Sequence, residues 1–393
     1  YKSLKKGFEQ AKDKRLASLI YSIASVSSIT KSERETLVAL RRKLMKEPSG
    51  QRHKEFEDTL RGWITVHYDP LKSTELLKPN NNRRWPIRRV MYAHALALAA
   101  LCEGDLKMAQ QANAEMTIAK ERLVDEVPLA VTTELWVLTV LYSLTEEPEQ
   151  RVKIKGIADK IASNLDGHPE YWLCQNLRCH YYTLTDDTSL KELYEEKDPD
   201  NWVCSLGSHY FYRIGEDSKA LRYLKDDFRD MPLARISSAC IAAELRKIKE
   251  ARKVYDEIDE NWNVRQYRAR AIDILLYLGD LKEAKEAADQ IIEESEDDYN
   301  HTFVALKRRL DLISANRKST EDLEKMILKN SPSQTDKCMG YYTLGLICLA
   351  RNEEAAAKGF FKTAVDCNQF IYPQHEMAKA LLKRRFGSTN DEN

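Results

Sequence analysis

Apolar residues recur at steps of three and four along most of the chain, with polar residues between them. Leu221, Leu224 and Phe228 form one such stripe, and another runs from Ile272 through Leu275. This spacing is typical of amphipathic helices that bury one face. The alternating pattern of a strand appears only briefly, at residues 63–66. The sequence therefore predicts an all-α protein.

A pattern of large and small residues recurs within these helical segments. In its clearest copy, an aromatic residue precedes Leu-Gly, and small and aromatic residues follow at fixed distances: Tyr341, Leu344, Gly345, Ala357, Phe361 and Ala364. Positions equivalent to Gly345 fall at 207, 239, 272 and 308, so the period is 32 to 37 residues. Glycine-containing reversals such as Gly104-Asp105 and Gly279-Asp280 separate the two predicted helices of a unit.

This pattern resembles the tetratricopeptide repeat family, whose repeats have a period of about 34 residues. The resemblance implies a right-handed superhelical solenoid of antiparallel helix pairs that stack through their apolar faces. We expect about eight helix pairs over residues 87–372, in units at 87–125, 127–166, 169–197, 199–229, 231–260, 261–296, 298–331 and 335–368. A basic helical region at 1–86 precedes them, with a Pro/Asn-rich boundary at 63–86. A capping helix and a flexible tail over 373–393 follow.

In this family the first helix of each pair faces a concave groove, and the resemblance assigns particular positions to that groove. Tyr181, Tyr212 and Tyr277 fall at one equivalent position, which would give an aromatic ladder suited to a bound peptide. The alternative is that these tyrosines pack between helices. The predicted partner-binding residues are His180, Tyr181, Asn201, Ser208, Tyr212, Asp273, Tyr277 and Tyr342. The Lys/Asn/Arg clamp of chaperone-binding repeats has no match.

Charge is unevenly distributed although the whole chain is formally neutral. Residues 1–90 hold 21 basic and 10 acidic residues, and the remainder holds 41 basic and 52 acidic residues. The densest basic patch consists of Arg83, Arg84, Arg88 and Arg89. Such a patch can attract nucleic acid or an acidic surface. A solvated helix face and charge matching within the chain are the simpler interpretations.

The sequence carries no recognisable catalytic or cofactor motif. It lacks the glycine-rich loops that bind nucleotides, the GxSxG nucleophile turn and HExxH. The eight cysteines include no CxxC pair and are expected to be reduced thiols. Cys174, Cys179 and His180 lie close in sequence, but residues five apart do not share a helix face. We expect no enzyme activity, cofactor or metal.

The prediction is a cytoplasmic, non-catalytic scaffold or adaptor that binds a partner protein or peptide in the groove. No apolar run is long enough to span a bilayer, and no signal peptide is apparent at the N-terminus. The partner can also be another domain of the same chain. One alternative is the regulatory region of a larger enzyme, with a catalytic domain upstream of Tyr1. A second alternative is nucleic-acid binding through the basic arm.

Overall fold

The computed structural model describes residues 58–59, 61–63, 66, 69–79, 86–123, 128–165, 172–185, 187–195, 201–261, 265–294, 301–331 and 333–387. None of these residues lies in a strand, so the all-α prediction is confirmed for this part of the chain. The expectations for residues 1–57 and for residues 80–85, which include Arg83 and Arg84, concern positions outside the described residues. Within the predicted 63–86 boundary, Pro70–Leu77 forms a helix.

The described helices follow one another in pairs, at the positions of the predicted repeat units. They are α1 Pro70–Leu77, α2 Pro86–Glu103, α3 Leu106–Lys120, α4 Pro128–Leu144, α5 Pro148–Leu165, α6 Trp172–Thr185, α7 Asp187–Glu195, α8 Asn201–Arg213, α9 Asp217–Ala220, α10 Pro232–Glu244, α11 Ile248–Asn261, α12 Arg265–Leu278, α13 Leu281–Glu294, α14 His301–Ser314, α15 Thr320–Asn330, α16 Gln334–Ala350, α17 Glu354–Asp366 and α18 Pro373–Arg384. Two short 3-10 helices, Arg222–Leu224 and Asp226–Phe228, follow α9. The α-helix predicted from the stripe Leu221, Leu224 and Phe228 is therefore wrong, because the α-helix ends at Ala220.

The glycine turns between paired helices adopt the expected left-handed conformation. Gly104 has a φ of 70° and Gly279 a φ of 79°. The aspartate after each glycine caps the next helix: an Asp105 carboxylate oxygen accepts from the Met108 amide at 3.1 Å, and Asp280 accepts from the Glu283 amide at 2.9 Å. These side chains satisfy amides that have no partner within the helix. Local sequence thus determines where each pair reverses.

Close approach of α16 and α17 depends on the missing side chain of Gly345. A Cβ at this position would lie 2.6 Å from Cε1 of Phe361, whose side chain is completely buried. Gly359, on α17, has no atom within 4 Å of its would-be Cβ. The two glycines therefore differ in their packing role although both lie in helices.

We expect Gly345→Ala to destabilise the fold by about 1–3 kcal/mol, because the added methyl group overpacks a site that cannot expand. Gly359→Ala is the matched control. It should stabilise by about 0.5–1 kcal/mol, since alanine favours a helix more than glycine does. Urea unfolding of both variants measures the difference, and equal effects from the two substitutions would contradict the packing role of Gly345.

The described residues divide into two compact units: those up to Ile161 together with 301–304, and those of 162–294 together with 305–387. In the first unit, α2 packs against α1, α3 and α4. The buried Arg88 side chain donates from Nε to the Leu77 carbonyl at 3.1 Å and from Nη2 to the Leu76 carbonyl at 2.9 Å. These bonds satisfy carbonyls at the C-terminal end of α1 and fix α1 to α2.

In the second unit, five helices pack side by side, and the last of them contacts the first. Helix α8 packs on α10, α10 on α12 and α12 on α16, and α18 packs on both α16 and α8. We call these five helices the inner ring. Helices α11, α13 and α17 pack on the ring members that precede them in sequence.

The position of α18 differs from a simple cap at the end of the array. It contacts α17 and α16, as a terminal helix would, but it also packs along α8, which lies about 170 residues earlier. Pro373 lies near α8 residue His209, and Arg384 reaches the carbonyl of Tyr212 at 3.0 Å. Helix α18 therefore runs parallel to α8, and its side chains occupy the inner face that a partner was expected to occupy.

Candidate functional site: the inner ring

The residues predicted to line a groove are enclosed within the second unit. Tyr181 has no exposed surface, and Tyr212 exposes only 3%. The remaining residues follow the same trend, because neighbouring inner helices and α18 cover them. The buried members are His180, Tyr181, Ser208, Tyr212, Asp273 and Tyr342, and the partly buried members are Asn201 and Tyr277.

The three tyrosines expected to form an aromatic ladder have different partners. The Tyr181 ring packs on Tyr182, with 5.7 Å between centroids. The Arg384 guanidinium lies over the Tyr212 ring at 4.8 Å. The Tyr277 hydroxyl hydrogen-bonds to that of Tyr342 at 3.1 Å, and burial raises the pKa of both phenols well above the usual value. In this conformation all three pack within the fold, which is the alternative that the sequence left open.

An ion pair and a hydrogen bond join α14 to the ring helices α12 and α16. The Arg309 guanidinium on α14 donates to the Asp273 carboxylate on α12. Arg309 Nε also donates to the Thr343 hydroxyl on α16 at 2.9 Å. Burial raises the pKa of Asp273, and Arg309 opposes that effect. Asp273 thus holds the helices together, and only 5% of its surface is exposed.

Small polar side chains connect α8 to α10. The hydroxyls of Ser205 and Ser237 lie 2.6 Å apart, and Ser208 lies 3.3 Å from Ser238. The Asn201 side chain accepts from the Ala234 amide at 3.1 Å and so caps the start of α10. Serine permits the close approach of two helices, and each hydroxyl has a hydrogen-bonding partner in the neighbouring helix.

Helix α18 introduces residues that sequence reasoning did not select. Glu376 is almost completely buried, 3.5 Å from Lys379 Nζ and 3.9 Å from Arg213 Nε. Burial alone would raise the pKa of Glu376, but Lys379, His375 and Arg213 together hold it below the usual value. The only available sequence signal was a glutamate within the apolar face of the last helix.

The C-terminal end of α18 is held by acidic residues from other elements. Arg384 Nη1 lies 3.1 Å from an Asp217 carboxylate oxygen. Arg385, just after α18, pairs with Glu244 at 2.9 Å and with Glu354 at 2.7 Å. Positive charge at the C-terminal end of a helix also interacts favourably with the helix dipole. These pairs fix the direction and register of α18 in the ring.

Near the other end of α18, His209 of α8 is a buried and neutral imidazole. Burial lowers its pKa to about 4, although Glu376 and a hydrogen bond with the Pro373 backbone act in the opposite direction. The folded state therefore resists protonation at a pH where an unfolded histidine takes up a proton.

We expect the pKa of His209 to make stability fall with acidification. Its contribution is fully present above pH 6.5 and is lost as the pH approaches 4, by up to about 3 kcal/mol. Urea unfolding between those two pH values should show a smaller loss in His209→Asn, which keeps a side-chain donor for Pro373. Parallel curves for the two proteins would contradict this assignment.

Two arginines of the basic patch, Arg88 and Arg89, lie among the described residues, and both bond to other residues of the chain. Arg88 is buried against the end of α1, as described above, and Arg89 forms an ion pair with Glu115 of α3. Both side chains thus serve the internal charge matching that the sequence offered as the simpler interpretation. They leave little free positive surface at these two positions for a phosphate backbone.

The cysteine and histidine neighbours noted in the sequence have separate partners. Cys179 Sγ lies 3.4 Å from the Tyr194 hydroxyl, whereas the His180 ring contacts Phe370 with 6.3 Å between centroids. Among the residues that the structure describes, no group of three or more His, Cys, Asp or Glu side chains is arranged to hold a metal ion.

No described helix combines the length and the apolar character needed to cross a membrane. Comparison with known proteins adds no further assignment: no family model, no curated protein and no solved structure matches this chain.

Proposed function

We propose that this protein is a non-catalytic interaction scaffold of tetratricopeptide-like helix pairs that binds an amphipathic helix on the inner faces of its first helices. One observation carries the proposal. Helix α18, contributed by the far end of the chain, lies along α8 as a helical ligand lies along a groove. Helix-in-groove binding is a common mode of peptide recognition, in which apolar anchors lie along one face of the ligand.

Because the partner in this proposal takes the place of α18, the side chains of α18 indicate which residues the partner needs. The apolar part of its buried surface is formed by small or flexible residues, Met377, Ala378, Ala380 and Leu381, and the polar residues Gln374, His375 and Glu376 are buried beside them. A basic pair at its C-terminal end meets the acidic residues Asp217 and Glu244. The partner in this proposal is therefore a short helix with a narrow apolar face and basic residues at its C-terminal end.

The polar contacts that hold α18 are weak enough for another helix to replace it. Neither carboxylate oxygen of Glu376 has a hydrogen-bond partner among the described residues, although both are buried. Lys379, His375 and Arg213 keep the carboxylate charged, but none of them approaches nearer than 3.5 Å, so its ion pairs lack the short charge-assisted hydrogen bonds of a strong buried pair. The Arg384 and Arg385 pairs are partly exposed, so each contributes little. A partner helix without the buried glutamate can replace α18 on these grounds.

The test is competitive elution with a peptide copy of α18. The full chain is immobilised and incubated with a native cell extract, and bound protein is eluted with a synthetic peptide of residues 367–387. The matched control peptide carries glutamate in place of Arg384 and Arg385. We expect a partner to be released by the first peptide and retained with the second.

A variant of the full chain supplies the complementary measurement. Arg384→Ala combined with Arg385→Ala weakens the docking of α18 while leaving the apolar face intact. We expect this variant to capture more of the same partner than the unmodified chain. Equal elution by both peptides, together with unchanged capture by the variant, would refute α18 replacement as the mode of binding.

A further inference from the structure

A recess opens to solvent between the middle turns of α8, α10 and α12 and the start of α18. Its free space is about 340 Å³ when the part open to solvent is included. Polar side chains from different helices line it, among them Ser205, His209, Ser237, Arg270 and Gln374. None of the sequence-predicted groove residues except Asp273 and Tyr342 takes part in its wall. The recess is thus distinct from the contacts at the C-terminal end of α18.

The backbone around the recess is positively polarised. Gln374 is the second residue of α18, and Leu233, which also lines the recess, is the second residue of α10. Ser205 lies in the second turn of α8, and Arg270 lies in the second turn of α12. The first turns of α10 and α18 carry partial positive charge, which favours an anion. The Ala234 amide is already taken by Asn201 and the His375 amide by the Tyr372 carbonyl, which leaves the amides of Leu233 and Gln374 for a ligand.

Arg270 adds a full positive charge that the fold does not use. Its guanidinium lies over the Trp202 ring at 5.5 Å and makes no hydrogen bond or ion pair with the described residues. The nearby carboxylate, Asp273, is already engaged by Arg309. Two guanidiniums and one carboxylate leave an excess of one positive charge in a largely buried region. An uncompensated buried charge is costly unless a ligand neutralises it.

Two further side chains in the wall lack partners although each is only 5% exposed. They are His209, through Nδ1, and Gln374, through Oε1. Because His209 bonds the Pro373 backbone and is neutral, its Nδ1 is a free acceptor. The Ser205–Ser237 bond consumes one hydroxyl hydrogen and leaves the other available. The recess therefore offers donors for anionic oxygens and acceptors for a protonated one.

We propose that this recess binds a phosphate group, held by Arg270, the Ser205–Ser237 pair and the first turn of α18, with a P–OH donating to His209. Hydrogen phosphate and phosphate monoesters combine anionic oxygens with an ionisable P–OH, which sulfate lacks at neutral pH. The proposal does not depend on the proposed scaffold function, because it involves no protein partner.

Isothermal titration of the full chain tests the proposal. The probes are inorganic phosphate, O-phosphoserine and sulfate, each at an ionic strength matched with sodium chloride. We expect inorganic phosphate or O-phosphoserine to bind at least several-fold more tightly than sulfate. Tighter binding of inorganic phosphate would identify free phosphate as the ligand, and tighter binding of O-phosphoserine would identify a phosphate monoester. Absence of binding at millimolar concentrations, or equal binding of sulfate, would overturn the phosphate assignment.

Variants on one helix separate a specific site from general charge. Arg270→Gln should weaken phosphate binding at least tenfold, and Arg270→Lys should weaken it less because the charge remains. Arg268→Gln is the matched control, since Arg268 lies on the same helix and pairs with Glu294 at 2.8 Å. It should bind phosphate as the unmodified chain does. Equal loss in the Arg268 and Arg270 variants would overturn the site.

Thermal stability distinguishes a ligand-binding arginine from a structural one. In phosphate-free buffer Arg270→Gln removes the excess buried charge, so its melting temperature should equal or exceed that of the unmodified chain. Added phosphate should raise the melting temperature of the unmodified chain and leave that of the variant unchanged. A lower melting temperature for Arg270→Gln with a retained phosphate response would show that Arg270 serves only the fold.

Discussion

The Asp273→Asn variant is expected to unfold with about 3–5 kcal/mol less free energy than the unmodified chain. Asp273 and Arg309 are both almost completely buried, and Arg309 also donates to Thr343. Asparagine keeps the shape of the side chain but removes its charge. The guanidiniums of Arg309 and Arg270, which already repel each other, would then face each other without a carboxylate between them. Urea denaturation followed by circular dichroism measures the loss.

The control is the double variant Asp273→Leu with Arg309→Met. It removes the ion pair as a whole and leaves apolar groups of similar size, a change that is often neutral or stabilising for buried pairs. We expect it to recover most of the stability lost in Asp273→Asn. A double variant no more stable than the single one would show that shape, rather than charge compensation, governs this position.

The second large effect is expected from Phe370→Ala, which should cost about 3–5 kcal/mol. Phe370 lies in the connection between α17 and α18, has no exposed surface and packs its ring against His180. Its removal leaves a cavity under the segment that delivers α18 to α8. We therefore expect hydrogen exchange to accelerate in the amides of α18 more than in those of α2, which belongs to the other compact unit.

Phe360→Ala is the comparison for this experiment. Phe360 stacks on Tyr341 with 6.1 Å between centroids, but it is only partly buried and lies on α17, away from the connection. Its truncation should cost less and should leave exchange in α18 unchanged. If both variants accelerate exchange in α18 equally, Phe370 has no special part in anchoring that helix.

Because α18 packs against α8, a tyrosine that was predicted to face a groove is covered by protein side chains. A tyrosine such as Tyr212 can face solvent in an open groove, yet here it is covered by Arg384 from α18. Any partner that uses this surface must first displace α18, so binding and release of the C-terminal helix are coupled in the proposed function. The phosphate recess lies at the opposite end of α18 and is open without such a change.

Local sequence was sufficient to predict most of the described helices and the turns between them, although residues 222–228 form 3-10 helices and Pro70–Leu77 is a helix within the predicted boundary. Apolar spacing predicts a helix without reference to the rest of the chain, and glycine or aspartate at a reversal acts through its own backbone and its nearest amides. The Gly345 site was also predictable, because a helix pair of this type requires a small residue where its helices cross. The same reasoning did not find Arg270 or Glu376, since each is surrounded by residues from distant parts of the chain.

The sequence by itself predicted that the described part of this chain is helical and where most of its helices pair, and it left open whether the tyrosine positions face a groove or pack between helices. Only the tertiary structure decided that α18 returns to α8, that Asp273 pairs with Arg309, and that Arg270 has no hydrogen bond or ion pair with the described residues. The physical reason is the separation along the sequence over which each interaction acts. Helix periodicity and capping act within a few residues, whereas burial and charge compensation depend on side chains brought together over as many as 172 positions.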